Sequence, residues 1–90
     1  MKEWVATHNG CQIRVTNTWF GFAKLYKLYI DGDWQDTNVR KLVASHSPAL
    51  SVRVTPASRE PFLVDVYLKA RLTVKVKICV DGKRIGGDTF

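Results

Sequence analysis

Three carboxylates crowd the segment "DGDWQD", in which Asp31, Asp33 and Asp36 fall within six positions. Oxygen ligands at this spacing could hold a hard cation. An EF-hand loop also needs a glycine at its sixth position and a distant glutamate, and the segment supplies neither. The Asp-Gly pair is typical of a tight hairpin turn. The segment therefore favours a turn with solvated acids over a metal site.

Two histidines and two cysteines are the other residues that could bind a metal or act as nucleophiles. They are His8, His46, Cys11 and Cys79. None of the close-pair spacings of structural zinc sites occurs among them. Alternate side chains of a β-strand point to opposite faces, and this alternation places Cys11 inward and Cys79 outward. Opposite directions argue against a disulfide and against shared metal ligation. No Gly-x-Ser-x-Gly elbow or glycine-rich phosphate loop is present. We predict no catalytic residue, no cofactor and no metal.

A basic stripe follows one face of the C-terminal half of the chain. It comprises Tyr67, Lys69, Arg71, Lys75 and Lys77, with Lys83 and Arg84 close by in sequence. Basic residues with an aromatic on an exposed β surface can follow phosphates and stack on bases. Lysines also simply solvate outer faces and protect strand edges. Nucleic-acid binding is therefore kept as an alternative function.

Aromatic residues crowd the segment "TNTWFGF", which reads as a hairpin loop containing Trp19, Phe20 and Phe22. Such a loop either folds over one end of the core or offers an anchor to a partner. The strand "FAKLYKLYI" is apolar on both faces, so its second face is covered or meets a partner. Tyr29 and Trp34 are added as candidate interaction residues on this ground. These features predict self-association through the aromatic loop or through strand edges.

The totals set the class of protein. The chain has 90 residues, which suits a single domain over residues 1–90, and its 46% hydrophobic content makes disorder unlikely. Lys and Arg outnumber Asp and Glu by 14 to 8, a net charge of +6 that weakly favours anionic partners. No apolar run suits a signal peptide or a membrane span. We expect a cytoplasmic protein with reduced cysteines.

The elements that must position these residues are β-strands. From Phe62 to Val80 every even position is apolar, while the odd positions after Leu63 are mostly polar. This period of two is typical of a strand with one face in the core. A single straight strand of this length would span about 60 Å, so the chain must turn within it.

The parity of this segment restricts the turn, because residues directly opposite in a hairpin point to the same face. Only an odd-length loop pairs even positions with even ones, and we predict such a loop centred near Ala70. A five-residue loop or a bend between sheets stays open, and a three-residue turn is disfavoured because no glycine is available. The expected pairs are Val66–Val74, Val64–Val76 and, on the outer face, Asp65–Lys75.

The stretches "KLYIDGDW" and "KICVDGKR" share one pattern, in which a strand runs into Asp-Gly and then into a second strand. Asp-Gly between strands predicts a two-residue type I′ hairpin. The expected pairs are Tyr29–Trp34, Lys27–Asp36, Val80–Lys83 and Ile78–Ile85. A further turn at Asn9-Gly10 separates "EWVAT" from "CQIRVT", in which Ile13 and Val15 face inward.

The middle of the chain contains two further segments that could form strands. The alternation in "ALSVRVT" turns Leu50, Val52 and Val54 inward. The segment "RKLVAS" is either a short strand or the entry to a loop, so residues 38–48 stay unassigned.

The order of these elements resembles the N-terminal domain of the Fas apoptotic inhibitory molecule family. The resemblance is carried by a Trp-led strand, a turn ending in Gly10, "QIRV", "LYIDG", "LVDVYL" and "VKVKICVDGKRI". It implies an antiparallel β-sandwich that has no catalytic site and acts through protein contacts. The chain departs from the family in its middle section and in the additional "KLY" of "KLYKLYI", and no functional motif carries over.

These observations together predict an all-β fold, a single antiparallel β-sandwich of about seven to nine short strands joined by hairpins. The expected function is a non-enzymatic protein-interaction module that forms a homodimer. A basic nucleic-acid-binding β domain and a small-ligand binder are the alternatives.

Overall fold

The computed structural model describes residues 2–20, 23–40, 48–56, 60–70 and 74–90, with residues 19, 20, 23, 39, 40 and 70 described by their backbone only. In these ranges the chain forms eight strands. They are β1 (Lys2–His8), β2 (Cys11–Phe20), β3 (Ala23–Ile30), β4 (Asp33–Arg40), β5 (Leu50–Val54), β6 (Phe62–Ala70), β7 (Val74–Val80) and β8 (Lys83–Gly87).

The strands form two antiparallel sheets of four strands each, in the orders β1-β2-β3-β4 and β5-β6-β7-β8. Each sheet is a meander in which every strand pairs with its neighbour in sequence, as expected when short turns join antiparallel strands. The predicted all-β antiparallel fold is confirmed, and the number of described strands falls within the predicted range.

The core lies between the inner faces of the two sheets. Its fully buried aliphatic side chains are Ile13, Val15, Leu28, Leu50, Val64, Val66, Leu68, Val76 and Ile78. Val52, Val54 and Val74 pack against this cluster while remaining partly buried. The inward directions predicted from strand alternation are confirmed for these residues other than Leu28, for which none was predicted, because alternate side chains of a strand point to opposite faces.

The two sheets repeat one local design, which explains the duplicated Asp-Gly pattern. Asp31 and Asp81 both adopt positive φ, as the first central position of a type I′ turn requires. Gln12 N donates to Asp31 Oδ1 (2.8 Å) and Leu63 N donates to Asp81 Oδ1 (2.9 Å). In return, the N–H of Asp31 donates to the Gln12 carbonyl and the N–H of Asp81 donates to the Leu63 carbonyl, each at 2.9 Å. The carboxylate thus ties its turn to the neighbouring strand.

A β-bulge follows the second pair of each Asp-Gly hairpin and shifts the register beyond it. The pairs Tyr29–Trp34 and Val80–Lys83 are confirmed. Two predictions were wrong, because one extra residue on the returning strand displaces the later pairs. Lys27 lies opposite Thr37 rather than Asp36, and Ile78 lies opposite Gly86 rather than Ile85.

The hairpin between β6 and β7 keeps the predicted parity but not the predicted register. Ala70 lies opposite Val74, so the pairing is centred two residues later than expected. Val66 therefore pairs with Ile78 rather than Val74, Val64 with Val80 rather than Val76, Asp65 with Cys79, and Lys75 with Lys69. Parity does not distinguish registers that differ by an even number of residues, and the Asp81–Leu63 hydrogen bonds favour the one observed.

Two further predictions needed correction. The backbone of Trp19 and Phe20 belongs to β2, paired with Lys24 and Ala23, and is not a loop. Cys79 was expected to be peripheral, yet it is only 5% exposed. It stands apart from the core cluster on a strand flanked by β6 and β8, where Asp65 and Arg84 lie opposite it.

The two sheets meet along two seams, and at each seam an aspartate links one sheet to the other. Between β4 and β5, Ser51 N donates to Asp36 Oδ2 (3.0 Å). At the opposite seam Asp88, just after β8, accepts at Oδ2 from Trp4 Nε1 (3.0 Å) and from Val76 N (2.9 Å). Both seams are therefore closed by a carboxylate that accepts backbone or indole N–H groups.

Candidate binding surfaces

The outer face of the first sheet carries a row of four side chains, one from each strand. Val5 lies opposite Arg14, Arg14 opposite Tyr29, and Tyr29 opposite Trp34. We call these four residues the aromatic row. Its two ends are the large apolar side chains most open to solvent among the described residues, with Trp34 63% and Val5 47% exposed. Such a row offers an apolar contact that the chain itself does not cover.

Cations and hydrogen bonds hold the aromatic rings of this row in place. Arg14 Cζ lies 5.2 Å from the Tyr29 ring centroid, and Lys27 Nζ lies 5.4 Å from that of Trp34. Trp34 Nε1 donates to Thr37 Oγ1 (2.6 Å) and to the Asp36 carbonyl (3.1 Å). An exposed side chain fixed in this way loses little conformational freedom on binding.

Two of the five predicted interaction residues, Tyr29 and Trp34, meet in the aromatic row. The side chains of Trp19 and Phe20, and all of Phe22, lie outside the described residues. Sequence reasoning missed the other half of the row. The Asn9-Gly10 turn already implied that Val5 lies opposite Arg14, and only the register between β2 and β3 was lacking.

The outer face of the second sheet carries the predicted basic stripe. Lys69 lies directly opposite Lys75, and Tyr67 lies directly opposite Lys77. We call these four residues the basic face. Arg71, the fifth member of the stripe, lies outside the described residues. The structure thus places together every described member of the predicted nucleic-acid-binding set.

Lys77 is held between two aromatic rings on the basic face. Its Nζ lies 4.9 Å from the ring centroid of Tyr67 and 4.9 Å from that of Phe90. The same nitrogen donates to the Phe90 carbonyl (3.3 Å). Phe90 was missed because it follows the last strand, where alternation carries no signal.

Cys79 lies in the same sheet, opposite Asp65 and Arg84. Burial raises the pKa of its thiol, the nearby charges of Lys77 and Arg84 lower it, and that of Asp65 raises it further. A raised pKa keeps the sulfur protonated, whereas nucleophilic attack requires the thiolate. Cys11 is also buried, and both cysteines are free thiols. This arrangement gives no support to nucleophilic catalysis by Cys79.

A shallow groove lies between the ends of β3 and β5. It has a volume of about 150 Å³ and is lined by Ile30, Gln35, Val52, Arg53, Val54 and Thr55. Pockets for drug-sized ligands are about 300–1,000 Å³. The groove is therefore a weak basis for the small-ligand alternative.

Two of the three aspartates in the predicted acid cluster accept hydrogen bonds from backbone N–H groups. Asp31 accepts from Gln12 N, and Asp36 accepts from Thr37 N (2.9 Å) and Ser51 N. Within the described ranges no group of three His, Cys, Asp or Glu side chains is arranged to hold a metal ion. The same ranges contain no helix with the length and apolar character needed to cross a bilayer.

Compared with protein-family models, with curated proteins and with solved structures, the chain matches none of them. The resemblance to the Fas apoptotic inhibitory molecule family stays a prediction.

Proposed function

We propose that this chain is a non-enzymatic interaction module that forms a homodimer through the outer face of its first sheet. The observation that supports the proposal is the aromatic row, whose two ends, Trp34 and Val5, are 63% and 47% exposed. Apolar side chains grouped on a surface are typical of association sites. The proposal includes a cytoplasmic location, in which Cys11 and Cys79 remain thiols.

The sheet face is a better contact than the strand edges. The edge strands β4 and β5 meet in the same chain, where Asn38 Nδ2 donates to the Ala49 carbonyl (2.6 Å) beside the Asp36–Ser51 bond. Edges occupied in this way are poor templates for a second chain. The outer face of the first sheet has no such cover among the described residues.

The aromatic row is self-complementary under twofold symmetry. A twofold axis parallel to the strands makes the partner's row run in the opposite order across the contact. Val5 of one copy then meets the partner's Trp34, and Arg14 meets the partner's Tyr29. The first contact is apolar and the second is a cation–π pair, so the arrangement brings no like charges together within the row.

The size of this face indicates a weak dimer. Four strands spaced about 4.8 Å apart, with a longest strand of about 33 Å, give roughly 600 Å² per copy. The total of roughly 1,200 Å² is at the lower limit for stable complexes. The net charge of +6 on each copy adds repulsion that salt screens. We expect dissociation in the micromolar range and tighter association as salt is raised.

The test is sedimentation or light scattering over about 5–500 μM protein at two salt concentrations. The wild type should approach twice the chain mass as concentration rises, and Trp34→Ser should remain a monomer throughout. Tyr67→Ser is the matched control, since it removes an aromatic from the opposite outer face and should dimerise normally. A wild type that stays monomeric at the highest concentration contradicts the proposal, as does unchanged dimerisation of Trp34→Ser.

A further inference from the structure

The basic face carries a local repulsion that the fold does not relieve. Lys69 and Lys75 lie directly opposite each other on adjacent strands, where like charges are destabilising. The sequence alone predicted Asp65 opposite Lys75, which would have neutralised part of the stripe. In the structure Asp65 pairs instead with Cys79, and its Oδ1 accepts from Ser51 Oγ (2.8 Å).

The acidic residues near this face are already engaged elsewhere. The charge of Lys75 acts on Asp88, but that carboxylate accepts from Trp4 Nε1 and Val76 N. The ion pair that the described residues contain, Arg14 with Glu3 at 2.7 Å, lies on the other sheet. Lys69, Lys75 and Lys77 therefore present positive charge outward without an ion-paired carboxylate in the described part of the chain.

The basic face also has aromatic rings beside its cations. Tyr67 and Lys77 form the next cross-strand pair on this face after that of Lys69 and Lys75. The Lys77 ammonium lies between the rings of Tyr67 and Phe90, 4.9 Å from each ring centroid. Lysines that follow phosphates, together with rings that stack on bases, are the features by which sheet surfaces bind single strands. A duplex would use the charges but not the rings.

We infer that the basic face binds single-stranded nucleic acid, with phosphates at Lys69, Lys75 and Lys77 and a base stacked at Tyr67. The partner is identified by charge complementarity and by the aromatic beside the cations. This face lies on the opposite side of the sandwich from the aromatic row. Binding here is therefore independent of whether the chain forms the proposed dimer.

The experiment measures the fluorescence anisotropy of a labelled twelve-nucleotide oligo(dT), and of an oligo(U) of the same length, with the full chain. Three phosphate contacts to a single strand give a slope of log affinity against log salt of about −2. Affinity should therefore fall about 20-fold between 50 and 200 mM salt. Lys69→Glu should reduce affinity about tenfold at 50 mM salt and bring the slope to about −1.4.

Lys69→Glu also separates loss of binding from loss of folding. It replaces a like-charge pair by an opposite-charge pair with Lys75, so its melting temperature should rise by about 1–5 °C. Lys83→Glu makes the same change of charge at an exposed position next to the Asp81-Gly82 turn, about 17 Å along the sheet from Lys75. That control should bind almost as the wild type does.

Tyr67→Ser tests the stacking part of the inference. It should weaken binding to the single strand about tenfold and leave the salt slope unchanged, because no phosphate contact is lost. The inference is overturned if Lys69→Glu and Lys83→Glu weaken binding equally. It is also overturned if a duplex binds as tightly as the single strand and Tyr67→Ser has no effect, which indicates general attraction of polyanions. Binding of anionic lipid vesicles without binding of either oligonucleotide overturns it too.

Discussion

Single carboxylates decide much of the local structure of this protein. Asp31, Asp36, Asp81 and Asp88 each accept a hydrogen bond from a backbone N–H, so their charge is directed into the fold. The lysines of the basic face point outward instead. Because the aspartates are bonded within the fold and the lysines face outward, a modest net charge of +6 gives a strongly basic surface on one sheet.

The prediction at this scale concerns Asp81, which combines a positive φ with a hydrogen bond to Leu63 N. Asp81→Ala should lower the free energy of unfolding by about 2–3 kcal/mol, since it removes a charged acceptor and places alanine in the left-handed region. Asp81→Asn should change it by less than about 0.5 kcal/mol, because asparagine tolerates this conformation and still offers an acceptor oxygen. Urea unfolding of the two variants decides the matter, and equal losses would mean that the hydrogen bond contributes nothing.

At the scale of strands, the sequence determines faces better than registers. Alternation in "FLVDVYL" and "VKVKICV" correctly assigned inner and outer sides, because one face must be buried. Register was correct only as far as the second pair after each Asp-Gly turn. Beyond it the bulges and the Asp81–Leu63 hydrogen bonds shifted the pairing, and neither leaves a signal in hydrophobic spacing.

For the candidate surfaces too, the sequence predicts which residues share a face better than it predicts which residues lie opposite each other. The basic face could be predicted, since Tyr67, Lys69, Lys75 and Lys77 share parity on two consecutive strands. The opposition of Lys69 to Lys75 could not, because it depends on a register that parity leaves open. The aromatic row runs across four strands and needs three registers at once. Its Val5–Arg14 and Tyr29–Trp34 pairs follow from the two turns, but the β2–β3 register that joins them does not.

Strand β8 approaches β1 closely enough that a side chain at Gly86 has no room. A Cβ atom added there would lie 2.7 Å from Ala6 Cβ, which is attached to the backbone and has little freedom to move. Gly86→Ala should therefore destabilise the protein by about 1–3 kcal/mol. The double variant Gly86→Ala with Ala6→Gly should be more stable than Gly86→Ala alone, because the crowded methyl group is removed. Thermal unfolding of the three variants tests this, and strictly additive losses would rule out the contact.

At the scale of the whole molecule, two similar meanders are held together along two seams. Asp36 bridges to β5 at one seam, and Asp88 links Trp4 of the first sheet to Val76 of the second at the other. A chain of this size buries a thin core, so polar links between the sheets matter for stability.

Asp88 makes this assembly sensitive to acid. The Val76 N–H bond lowers the pKa of Asp88 below its ordinary value of 3.8, burial opposes this, and the Trp4 indole and the charges of Lys2 and Lys75 lower it further. A depressed folded pKa means that the ionised carboxylate stabilises the protein above about pH 4 to 5. That contribution is lost as pH falls below 3.8 through the folded pKa. The free energy of unfolding should therefore decrease on acidification through this range.

Asp88→Asn isolates this contribution from that of the other acids. The variant should be clearly less stable than the wild type at pH 7, and the difference should shrink as the pH falls through the lowered pKa of Asp88 and the wild-type carboxyl becomes neutral. Glu60→Gln is the matched control, because it removes one exposed carboxylate outside both seams and should lower stability little at any pH. Urea unfolding at a series of pH values measures the difference. If the gap between Asp88→Asn and the wild type is the same at pH 7 and at pH 2, ionised Asp88 does not hold the two sheets together.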